Sequence, residues 1–83
     1  METLARMKAG ETAFVKELAA WGAIRGRLQG LGIVPGTKVE CLQKSPLGDP
    51  VAYAVRGAVI ALRLKDAETV LVSDSISEVA DGF

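Results

Sequence analysis

The sequence has 83 residues with ten Lys plus Arg against ten Asp plus Glu, the size of one small domain with room for one core. Balanced charge and a pI near 6.2 leave no electrostatic footprint for a phosphate backbone, which disfavours nucleic acid as a partner. A single cysteine and no histidine exclude an intramolecular disulfide, remove the usual transition-metal ligand sets and take away the commonest general base, so neither a metal cofactor nor an enzyme is expected.

At the N-terminus, "METLARMKAGE" has Glu2, Arg6 and Lys8 where a signal peptide needs an apolar stretch. The longest uncharged run, "LQGLGIVPGT", is too short to span a bilayer, so the expectation is a soluble cytoplasmic protein without membrane insertion. The segment "TAFVKEL" from Thr12 to Leu18 reads as a first strand, half-buried and carrying a bulge, which "AAWG" then breaks. From Ala23, the residues Ile24, Leu28 and Leu31 recur at i, i+4 and i+7, predicting a helix of two to three turns that plugs one open end of a barrel with that face. Gly26 and Gly30 within it cost about 1 kcal/mol each relative to Ala, so the helix must lean on tertiary packing.

Gly32 suits a left-handed helix C-cap, and Pro35-Gly36 suits the centre of a type II turn, so the chain is turned sharply from helix to strand. The strand "TKVECLQK" buries Val39 and Cys41 on one face. Cys41, in phase with Val39, is a small core residue rather than a nucleophile, and Ser45, Ser73, Ser75 and Ser77 have no evident activating partner. "SPLGDP" is a loop; "VAYAV" and "AVIALR" form a hairpin through Arg56-Gly57; "KDAE" is a helical turn; "TVLV" is a last strand. Five short strands with one short helix between the first and second make a mainly β fold, a small and strongly bent barrel.

The ordered set of Arg27-Leu28 leading into Leu31-Gly32-x-x-Pro35-Gly36, then "PLGDP", a hairpin through Gly57 and "ALR" from Ala61 to Arg63 with Ala67, resembles the FeoA family of small ferrous-iron-transport proteins. The resemblance implies an SH3-like barrel over residues 1–73; the tail at 74–83 lies outside the recurring set and is expected to be flexible. The resemblance also implies a non-enzymatic accessory role, in which the protein binds the cytoplasmic part of the FeoB transporter; with no convincing iron ligand set in the chain, iron is expected to be met through that partner or through ligands shared between protomers. A similar domain follows the DNA-binding part of DtxR-type repressors, so the alternative is a stand-alone regulatory or peptide-binding module.

The candidate contact residues are few. Arg25 and Arg27 form either a basic edge for an acidic partner or a solvated helix face. Trp21 is either an interface anchor or a cap on the open barrel. Leu47 either projects from its rigid loop or folds inward. Gly26 and Gly30 leave a smooth strip on the helix that another chain, including a second copy of this one, could approach closely. Asp74, Glu78 and Asp81 share a helical face, but they read as an acidic solvated tail rather than a cation site.

Overall fold

The computed structural model of the chain describes residues 2–75. Strands β1 (Thr12–Leu18), β2 (Lys38–Lys44), β3 (Val51–Val55), β4 (Ala58–Leu62) and β5 (Val70–Ser73) form one antiparallel sheet in the order β4-β3-β2-β1-β5. Helix α1 (Gly22–Gly30) joins β1 to β2, the single turn α2 (Leu64–Ala67) joins β4 to β5, and a 3-10 turn at Leu4–Arg6 precedes β1. The order of strands and helices follows the expected one.

Two bulges set the bend. In β1 the pairs Val15↔Val72 and Glu17↔Leu71 leave Lys16 as an extra residue, which moves the buried positions from Ala13 and Val15 to Leu18. In β2 the pairs Cys41↔Tyr53 and Gln43↔Ala52 leave Leu42 extra in the same way. The bent sheet does not close into a full barrel: β4 and β5 are its two edges. The N-terminal segment covers the second of them. Thr3 bridges Leu71, and the Val72 amide donates to the Glu2 carbonyl at 3.0 Å.

Helix α1 ends as its glycine predicts. Gly32 takes φ +95°; its amide donates to the Gln29 carbonyl and the Ile33 amide donates to that of Leu28, both at 3.0 Å. This paired closure brings Ile33 against Leu28, and both side chains are fully buried. Four residues on, the Thr37 amide donates to the Val34 carbonyl at 3.0 Å across Pro35-Gly36, with Gly36 at φ +92°, as a type II turn requires. The β3–β4 hairpin turns through Arg56 and Gly57 at φ 52° and 84°, the signs of a type I′ turn.

The plug of the barrel differs from the sequence expectation. Of the helix face Ile24, Leu28 and Leu31, only Leu28 is buried, while Ile24 and Leu31 remain 41% and 38% exposed. The N-terminal segment does the filling instead, because Leu4 and Met7 are fully buried among Val15, Val39, Tyr53 and Val70 in one core cluster. Helix α1 buries Leu28 alone, whereas the N-terminal segment brings both Leu4 and Met7 into the core.

Candidate functional site

Three loops and turns meet beside α1. The Arg25 guanidinium donates to the carbonyls of Leu18 and Ala20, at 2.9 and 3.4 Å, closing the end of β1. Arg27 pairs with the carboxylate of Asp66, which is buried in α2. The carboxylate of Asp49, from the loop after β2, accepts the Leu64 amide at 3.0 Å, the first amide of α2. A buried carboxylate needs such a partner, so these bonds lock α1, α2 and the Asp49 loop against the end of β4. Two depressions adjoin here and share Arg27, Arg63 and Asp66: one is lined also by Ile24, Asp49 and Lys65, the other by Leu31, Ala61 and Leu62. A separate depression lies at the hairpin end of the same sheet, between Pro35-Gly36, Lys38, Glu40, Ala54 and Arg56.

Of the contact residues read from the sequence, only Arg27 lines these depressions. Trp21 is 85% exposed and Leu47 is 93% exposed, so Trp21 does not cap the barrel and Leu47 is not folded inward. A Cβ added at Gly26 or Gly30 would meet nothing within 4 Å, so the outer face of α1 is open. Arg25 and Arg27 lie on exposed helix positions, yet their guanidinium groups are engaged within the chain.

What the sequence reading missed is the sheet edge itself. Val59 on β4 is 70% exposed, and Ala58 and Ala61 are exposed with it. The signal was present as "AVIAL", an apolar strand without the charge or proline that usually blunts an edge, but only the strand order identifies β4 as an edge.

The buried polar groups serve the fold. The Tyr53 hydroxyl donates to the Leu4 carbonyl at 2.9 Å, and the Cys41 thiol lies 3.8 Å from the Met7 carbonyl, so both fasten the N-terminal segment. Burial pushes the Tyr53 phenol well up, with the neighbouring Cys41 adding to it. Burial likewise raises the Cys41 thiol, Lys44 opposing and Glu11 adding. Such a thiol is a poor nucleophile and a poor metal ligand. Among the described residues, no three His, Cys, Asp or Glu side chains come together as a metal site, and no helix is long and apolar enough to cross a membrane. Glu78 and Asp81 of the acidic tail face lie outside the described residues, as does most of the tail from 74 to 83.

The FeoA domain family matches residues 2–74. A Porphyromonas gingivalis Fe(2+) transport protein A/Fe(2+) transporter FeoB fusion protein is 30% identical over 69 residues, which cover 83% of this chain but only 8% of the fusion. The solution structure of iron(II) transport protein A from Clostridium thermocellum superposes with a TM-score of 0.84 at 35% identity, covering 87% of this chain and 44% of that one. The Stenotrophomonas maltophilia FeoA complexed with zinc, a prokaryotic SH3 domain protein, gives a TM-score of 0.76 at 32% identity and covers 86% of this chain and 88% of its own. Manganese-dependent transcriptional repressors share the fold at 18% identity. A family match over nearly the whole chain, on a five-stranded SH3-like sheet whose Gly32 cap and Pro35-Gly36 turn fold as the motif demands, makes this chain a member of the FeoA domain family.

Proposed function

We propose that this protein is a non-enzymatic accessory of ferrous iron transport that acts in the cytoplasm by binding the cytoplasmic part of an FeoB-type transporter. The observation that carries this reading is the P. gingivalis fusion, where a related FeoA sequence and FeoB are one polypeptide. Fusing two modules raises their effective concentration, an arrangement that favours modules acting together. The residue supply of this chain is in keeping with it: without histidine, and with its one thiol buried, the chain binds a partner rather than carrying iron itself. Contact surface is at hand in Trp21, Leu47 and the open strip at Gly26 and Gly30.

Deleting the gene is expected to lower Fe(II) uptake at unchanged transporter abundance; normal uptake in the deletion strain would refute the proposal. Pull-downs from solubilised membranes and from cytosol separate it from the alternative of a free regulatory module, which predicts its main partner in the soluble fraction.

A further inference from the structure

We infer that the free edge of β4 is a strand-docking site for an extended partner segment that is apolar at its centre and acidic at both ends. The inference rests on the partner-binding reading above and specifies the chemistry of the contact. In a two-residue hairpin, the residues flanking the turn, Val55 and Ala58, form a hydrogen-bonded pair, and the pairs then alternate. Ile60 and Leu62 therefore bond inward to β3, leaving the amides and carbonyls of Val59 and Ala61 directed out of the sheet. Among the described residues these are unspent donors and acceptors, on a strand whose five side chains are all apolar. At the opposite edge, Glu2 and Thr3 already occupy β5.

Charge identifies the occupant. Arg56 stands at one end of the edge, and Arg63 and Lys65 at the other; among the described residues none of the three makes an ion pair. Of the nearby acids, Asp66 is spent on Arg27 and Asp49 on the Leu64 amide, while Glu40 shares the depression beside Arg56 without an ion pair among the described residues. A second copy pairing antiparallel about Ile60 would set Arg56 of each chain against the Arg63 and Lys65 end of the other, and like charges so placed repel. An acidic-ended strand meets attraction at both ends. Arg56 also holds a left-handed backbone at φ 52°, where Asn or Gly is the ordinary choice. A costly residue at the mouth of the edge fits a recognition role.

The test uses the full chain and the peptide Glu-Asp-Val-Thr-Val-Thr-Val-Asp-Glu, with a control carrying lysine in place of every acid. The acidic peptide should protect the Val59 and Ala61 amides from hydrogen exchange, and its affinity should fall as salt is raised. Ala61→Pro removes an outward amide that the sheet does not use, so the variant should fold and lose about tenfold or more in affinity. Arg56→Asn should melt at the same or a higher temperature and bind about threefold more weakly. Should Ala61→Pro fail to fold, Arg63→Glu with Lys65→Glu replaces it and should abolish preference for the acidic peptide. Equal binding of the lysine control, or no protection at Val59 and Ala61, overturns the inference. Self-association of the chain through those same amides does so too, since the occupant would then be a second copy. If Fe(II) uptake depends on the protein while the peptide leaves β4 untouched, the accessory role stands and only this assignment falls.

Discussion

Tyr53 is the largest fully buried side chain, and its hydroxyl satisfies the Leu4 carbonyl where that carbonyl enters the core. Tyr53→Phe removes the donor and strands a buried acceptor, so urea unfolding should show a loss of about 1–2 kcal/mol. The same burial gives stability an alkaline limit. The Cys41 thiol and the Tyr53 phenol are both raised above their ordinary values of 9.0 and 10.0, because leaving water penalises the charged forms. As pH climbs past the ordinary thiol value, the unfolded chain loses protons that the folded chain retains. The contribution of these two groups is therefore level below about pH 9 and declines above it. Denaturation midpoints measured from pH 7 to 11 should show this decline, and Cys41→Ala combined with Tyr53→Phe should flatten it. On the surface, Trp21 and Leu47 make no core contacts to lose. Trp21→Ala and Leu47→Ser should leave the melting temperature unchanged, and binding assays with the transporter's cytoplasmic region should show a loss of about 1–2 kcal/mol if they are contact anchors.

Helix α1 is short, carries glycine at its first, fifth and last positions and buries only Leu28. Its place is held by polar contacts: Arg25 on the Leu18 and Ala20 carbonyls, the Gly32 closure, and Arg27 on Asp66. Arg27→Met keeps the aliphatic stem but leaves the Asp66 carboxylate buried without its cation. Because the arginine is largely exposed, the cost is that of a charged hydrogen bond at a screened site, about 1–2 kcal/mol in thermal or urea unfolding. Gly26→Ala acts in the opposite direction, since open space surrounds the added methyl and the helical backbone favours it by about 0.5–1 kcal/mol. A higher melting temperature for Gly26→Ala checks this. Gly26→Glu and Gly30→Glu keep the fold while placing bulk and charge on the open strip, so loss of partner binding in that double variant assigns the strip to the interface.

Across the whole molecule, the N-terminal segment turns an open sheet into a closed core. It covers the β5 edge through Thr3 and Glu2, and inserts Leu4 and Met7 where the sheet fails to close. Leu4→Ala should cost about 2–5 kcal/mol, as deletion of a fully buried leucine does elsewhere. That is a large share of the stability of so small a domain, about 0.05–0.15 kcal/mol per residue. Chemical denaturation measures the loss. Hydrogen exchange should show the β5 amides opening first, because their outer partner is the segment being loosened.

Local chemistry in the sequence determined each strand, the Gly32 cap, the Pro35-Gly36 turn, the Arg56-Gly57 hairpin and the place of Cys41 in the core, since turn residues and period-2 alternation act over a few residues. The family motif was legible for the same reason. Exposure of Ile24 and Leu31, burial of Leu4, Met7 and Ile33, and the bulge at Leu42 were decided only in three dimensions. A helical period says that three side chains share a face; how many of them reach the core depends on the distance at which the helix is held. The ion pair between Arg27 and Asp66 spans 39 positions, and the free edge of β4 is a property of strand order. Neither is encoded within any window of the chain, because both arise from which segments the bent sheet leaves side by side.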